Sequence, residues 1–221
     1  ERGPVVLSPS NVESLNRCAL RWVLERYGGR DGDAAPAITG TLVHTLVQAV
    51  AGEIDPAEVT DALQEIWGRV DTGAEWFSRR ELERAEGMLT HFRDWMRASR
   101  DELTEIGVEA DIVAEIPASA DPTGDGTDDL PVQLRGRIDR LERDSAGRPV
   151  GLDVQTGKTP ASKADAEKHA QLAAYQLAIA LGGVAALGIP AGTEPGGGRL
   201  VYVANAHRGT GATERRQPPL T

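Results

Sequence analysis

The chain has 221 residues, 40% hydrophobic and 26% charged, an ordinary soluble globular composition with the length of one large domain. A formal net charge of −10 argues against a free-standing nucleic-acid binder, so any such role must rest on a local groove or on a partner that delivers the strand. One cysteine, Cys18, excludes an internal disulfide and a cysteine-ligated iron–sulfur cluster within the chain, and points to a reducing, cytoplasmic compartment.

No apolar run approaches a membrane span and no signal peptide is visible, so no membrane partner is expected. The first residue, Glu1 rather than Met, makes the stretch read as cut from something longer. A first helix opens at a capping box, Ser10 to Glu13, with Pro9 just before it. Val12, Leu15, Ala19, Trp22 and Val23 recur at helical spacing as its core stripe, and Cys18 beside them reads as a small buried hydrophobe. Residues 28–37 form a loop, and a second helix follows Thr39 and Gly40. Its apolar side is Leu42, Val43, Leu46, Val47 and Val50, with His44 inside it near Gln48. Taken alone, His44 reads as a satisfied, partly buried histidine.

Asp55, Pro56 and Glu58 start a further helix running to about Val70. A long helix is expected from Trp76 to Glu102. Trp76, Leu82, Met88, Leu89, Phe92, Trp95 and Met96 read as its core rather than as a platform for bases. Arg79, Arg80, Arg84, Arg93 and Arg97 form a mostly solvated face, some of it within reach of phosphate. Val108 to Ile116 alternates like a strand. The acidic loop Ala118 to Asp129 lacks the spacing and terminal Glu of an EF-hand.

The central stretch is Leu134 to Lys158, two strands joined by a tight turn. Asp144-Ser145-Ala146-Gly147 carries a type I signature, and a left-handed Gly147 gives a three-residue loop with a bulge. That register sets Asp139 opposite Asp153 on one face, with β-carbons roughly 5 Å apart. A four-residue loop would instead turn the two carboxylates to opposite faces. Like charges this close call for something positive between them, most simply a metal ion.

Beyond Pro160 a helix opens at Ser162 and holds His169, Gln171, Leu172, Tyr175 and Ile179 before Gly182. Gln171 and Tyr175, four apart, share a face. Residues 191–198 form a flexible loop, 199–204 a short buried strand, and 207–221 a polar tail. The expected architecture is α/β, a mixed sheet flanked by helices. It is a single domain with a mainly helical part over 7–103 and a sheet core carrying the site over 104–206.

Asp153 and Gln155 alternate with Leu152 and Val154, so they point to one side and the apolar pair to the core. Two aspartates, a strand-borne polar residue and a helix-borne histidine make a hard-ligand cluster suited to Mg²⁺ or Mn²⁺. Such a cluster would clamp a phosphodiester, activate a water and stabilise the leaving oxygen. The plain alternative is a pair of strand-end carboxylates neutralised by Arg135 or Arg137. Gly157-Lys158-Thr159 imitates the end of a P-loop, but that motif needs Gly six residues before the Lys, where Leu152 stands. Nucleotide binding is rejected there.

Several motifs occur in order: Ser8-Pro9-Ser10 with Cys18 to Trp22; Gly40 to His44; Gly136-Arg137-Ile138-Asp139-Arg140; Leu152 to Lys158; and Gln171 with Tyr175. Together they resemble the RecB-type nuclease domain of the PD-(D/E)xK superfamily over about residues 7–206. The Arg/Ala/Gly-rich style is similar to the C-terminal domain of actinobacterial AdnA/AdnB-type helicase–nucleases. The resemblance implies a restriction-endonuclease-like fold and a Mg²⁺- or Mn²⁺-dependent deoxyribonuclease used in double-strand break processing and recombinational repair. It implies that His44, Asp139 and Asp153 hold the metals, that Gln171 and Tyr175 order substrate and site, and that Arg137 helps bind the strand. Its partners would be single-stranded DNA and the helicase domain or subunit that feeds it.

One departure matters. The family's catalytic lysine lies two residues after the second aspartate, where this chain has Gln155, which can hydrogen-bond but carries no charge. Three readings stay open. Lys158 reaches in from the strand end; or the site binds metal and cuts slowly or not at all; or Gln155 is an introduced or natural loss that leaves a DNA-guiding scaffold.

Overall fold

The computed structural model describes residues 4–28, 56–68, 74–116 and 131–220. His44, its expected helix, the acidic loop at 118–129 and Val70 lie outside them.

Strand β1 (Val5–Leu7) was not anticipated from the sequence. It is followed by α1 (Pro9–Arg17) and α2 (Ala19–Arg26). Ser8, not Ser10, caps α1: its hydroxyl accepts the Asn11 N–H, Asn11 reciprocates, and Pro9 occupies the first turn. Where one helix was expected, the chain breaks at Cys18, whose φ of −165° and ψ of 102° are extended. The core stripe fails with it. Cys18 is exposed rather than buried, Val12 and Leu15 are half-buried, and Ala19 and Val23 face out.

Two helices follow, α3 (Pro56–Trp67) and α4 (Glu75–Ser99), then β2 (Leu103–Ile116), β3 (Val132–Asp144) and β4 (Pro149–Gln155). The β3–β4 turn has the expected chemistry. Asp144 Oδ1 accepts the N–H groups of Ala146 and Arg148, and Gly147 has φ of 83°. Arg143 therefore faces Pro149 and Arg140 faces Leu152, the register read from the sequence.

The expected helix from Ser162 divides at Lys168–His169 into α5 (Lys163–Glu167) and α6 (Ala170–Ala180). After β5 (Gly198–His207) comes β6 (Gly211–Gln217), so the expected polar tail is a correction: its middle is a strand antiparallel to β5. Its sequence, GATERRQ, lacks the apolar alternation that marks a strand.

The six strands form one mixed sheet. β2 runs antiparallel along β3 from end to end, so β1 (parallel, at Val132–Leu134) and β4 (antiparallel, at Arg140–Arg143) share the other edge. On that edge, between β1 and β4, β3 residues 135–139 have no neighbouring strand among the described residues, and this notch holds Asp139. The start of α1 covers its floor: a β-carbon on Gly136 would lie 2.9 Å from Pro9 Cδ. Beyond β4 the sheet continues with parallel β5 and antiparallel β6.

β4 is buried along both faces as far as Val154. On one face Val150, Leu152 and Val154 pack with Val201 and Val203 under α3 and α4, through Leu63, Met88, Phe92 and Trp95. Arg140, fully buried on that side, pairs with Glu142, which also holds Arg100 just past the end of α4. On the other face Ile138, Leu200 and Tyr202 pack with Leu172, Tyr175 and Ile179 of α6. The C-terminal segment is stitched to the α5–α6 junction. The Gln217 amide donates to the carbonyls of Glu167 and His169, both at 3.1 Å, and Gln176 donates to Gln217 and accepts from Leu220 N.

Candidate active site

The β3–β4 ladder ends at the Arg140–Leu152 pair, and the strands then part. One residue further along, Asp139 fills the gap with its own side chain: Oδ2 accepts the Val154 N–H at 2.7 Å in place of a ladder bond. Asp153, 5% exposed, points to the α6 face. Its Oδ1 accepts from Gln171 Nε2 and, at 3.1 Å, from the Tyr175 hydroxyl, and its Oδ2 accepts from Gln155 Nε2. Gln171 also donates to the Tyr175 hydroxyl at 2.9 Å, so residues four apart on α6 act as one clamp.

The electrostatics match this geometry. Burial first, and the charge of Asp153 second, hold the Asp139 carboxyl well above the usual carboxylate range. Tyr175 is likewise pushed up by burial and then by Asp153 and Asp139, so it stays a neutral donor. The site is a buried carboxyl pair in which the two groups oppose each other's ionisation.

The helix after β4 cannot begin at once, because the chain must first cross the sheet end. Side chains from three elements pin this crossing. Arg84 of α4 donates to the Thr156 carbonyl (2.9 Å), Asn205 to that of Lys158 (2.9 Å), and Arg215 to that of Ala161 (2.8 Å). The Tyr202 hydroxyl accepts the Ala161 N–H (3.1 Å).

Asp139, Asp153, Gln155, Gln171 and Tyr175 thus come together. Lys158 sits apart on the exposed crossing. Arg137, expected to bind the strand, is exposed and ion-paired to Glu109 at 2.8 Å and Asp111 at 3.4 Å. Glu109 was not anticipated, and Arg84, read as part of a mostly solvated face, instead holds the Thr156 carbonyl. Glu109 lies between the paired residues Val108 and Ala110 on β2, at the level of Asp139. Its φ of 50° makes it the one non-glycine residue in the left-handed region among those described. Neither residue carries a sequence signal, since both depend on contacts between distant segments.

Comparison with curated proteins gives no match. A family model described as the PD-(D/E)XK nuclease superfamily matches residues 6–219, nearly the whole chain. With the mixed sheet between two helical layers and Asp139 and Asp153 brought together where β3 and β4 part, this chain belongs to the PD-(D/E)XK nuclease superfamily.

Proposed function

We propose that this domain is the DNA-cleaving module of a RecB-like helicase–nuclease, similar to the AdnA/AdnB type, working on single strands during double-strand break processing. The observation that carries the reading is the convergence of Asp139 and Asp153, held by Gln171 and Tyr175, at the parting of β3 and β4. Members of the superfamily are generally phosphodiester-hydrolysing nucleases that use divalent ions. The acidic balance of the chain agrees with a strand delivered by a motor, since tethered delivery replaces intrinsic affinity.

The donor set fits a hard cation. It consists of oxygens, and the raised Asp139 carboxyl marks a like-charge pair that a divalent ion would relieve. Mg²⁺ binds through one or two carboxylates and keeps several waters, so Asp139 and Asp153 suffice as its protein anchors, with His44 the expected third ligand. Among the described residues no group of three His, Cys, Asp or Glu could hold a metal. When bound, such an ion supplies Lewis-acid charge at a phosphoryl oxygen and templates the in-line displacement. Asp153 is fixed for this role by three donors, and Asp139 by Val154.

Gln155 supports a second reading. Its amide donates to Asp153 Oδ2 instead of presenting an ammonium to the phosphate, so it steadies the carboxylate but adds no positive charge. On that reading the domain binds metal and guides DNA while cutting slowly or not at all. The two separate in one assay, Mn²⁺-dependent cleavage of a single-stranded oligonucleotide by the parent, Gln155→Lys and Asp153→Ala. An active nuclease gives cleavage that Asp153→Ala abolishes. An impaired one gives a silent parent and a gain in Gln155→Lys of about 10²–10³-fold, the weight of one oxyanion-stabilising donor. Silence in all three, with no Mn²⁺ binding, sinks the nuclease reading.

A further inference from the structure

The first turns of α4 depart from their expected role. Met88, Leu89, Phe92 and Trp95 are core, but Trp76 is 68% exposed. An indole this open on a helix is costly to leave in water, and its one ring contact among the described residues is Phe77, edge-on at 5.9 Å. One turn on, Arg80 is exposed and has no ion-pair partner among the described residues. Two turns on, Arg84 holds the Thr156 carbonyl, the first residue past β4.

These contacts orient the helix. Arg84 meets the chain just past the carboxylate end of β4, whereas Arg100, just past the end of α4, meets Glu142, whose cross-strand partner is Val150 near the start of β4. α4 therefore runs antiparallel to β4, and its first turns project past the site. Trp76, eight residues before Arg84, stands about 12 Å further out along the helix axis. The pinned crossing Thr156–Ala161, with exposed Lys158 on it, begins at the Arg84 contact, while the Asp153 carboxylate itself lies on the α6 face of the sheet.

Resting on the nuclease reading, we propose that Trp76 is a stacking platform for an unpaired base of the substrate strand, with Arg80 and Lys158 contacting the phosphates between it and the scissile position. The occupant is a single strand for two reasons. An exposed indole face accepts a base only when that base is unstacked, as a duplex base is not. And Arg80 and Lys158, exposed and without an ion-pair partner among the described residues, offer positive charge to a polyanion in a chain of net charge −10. The platform thus sets specificity for unpaired DNA beside the site.

The test is fluorescence anisotropy with a labelled oligo(dT) and a labelled duplex of equal length, in Ca²⁺. The proteins are the parent chain, Trp76→Ala, Trp76→Phe, Arg80→Ala and, as a control at the far end of α4, Arg97→Ala. Trp76→Ala weakens oligo(dT) binding on the order of tenfold and leaves duplex binding within about twofold, Trp76→Phe retains most of it, and Arg97→Ala changes neither. Because Trp76 is exposed, its melting midpoint stays at the parent value. Unchanged oligo(dT) binding by Trp76→Ala, or equal losses on both DNAs, overturns the platform while Asp153-dependent Mn²⁺ binding keeps the nuclease reading standing. A parent that binds neither DNA nor Mn²⁺ overturns both.

Discussion

Asp139 spends one oxygen on the Val154 N–H while burial and Asp153 push its carboxyl up. A carboxyl raised in the folded state holds its proton more tightly there than in the unfolded chain. Its contribution to stability is therefore complete below the unfolded value of about 4 and is lost as pH rises through the folded value. Asp139→Asn keeps an acceptor for Val154 and removes the charge. In EDTA the variant melts higher than the parent at about pH 8, and the difference closes near pH 4. A parent and variant that melt together at both pH values would show that Asp153 imposes no strain on its neighbour. The β3–β4 register was legible in the sequence, because Asp144 and Gly147 dictate the turn and the turn dictates the register. Trp76 was misread because helical spacing does not record where a helix outruns the sheet that covers it.

At the scale of elements, two contacts decide how the helices sit on the sheet. Gly136 lets Pro9, and so α1, lie directly on the notch in β3. Gly136→Ala forces them apart and costs about 1–3 kcal/mol in urea denaturation, with weaker Mn²⁺ binding as the notch deforms. Glu142 ties β3 to Arg100 just past the end of α4, and Arg140, its neighbour on the same face of β3, neutralises it. Arg140→Ala leaves the buried Glu142 charge without its nearest partner and costs about 3–5 kcal/mol by the same measurement. The element boundaries were less legible than these contacts. Ser8 and Ser10 both precede plausible first turns, and only the docking of Pro9 on Gly136 selects Ser8 as the cap. The break at Cys18 leaves no Pro or Gly to announce it. β6 pairs through its backbone, which GATERRQ does not betray in its side chains.

Across the whole molecule, the cations near the site are few and the net charge is −10. If two or three phosphates are neutralised, as Arg80 and Lys158 suggest, single-strand affinity falls with salt at a log–log slope of about −1.4 to −2.1. A titration between low and physiological salt measures it, and a slope several times steeper would require a basic surface that the described residues do not supply. The fold class was readable because β4 alternates acid with hydrophobe inside a chain whose elements run helices, strands, helix, strand. Arg84 and Glu109 were not, since each acts across more than twenty residues of sequence.

The amide of Gln217 holds the Glu167 and His169 carbonyls at the α5–α6 junction, and Gln176 grips the same segment from α6. Anyone trimming this protein for expression would be tempted to stop at His207, where the composition turns polar. That cut would unfasten the helix bearing Gln171 and Tyr175 from below, and on the nuclease reading the shortened protein would bind Mn²⁺ less tightly with Asp139 and Asp153 themselves unchanged.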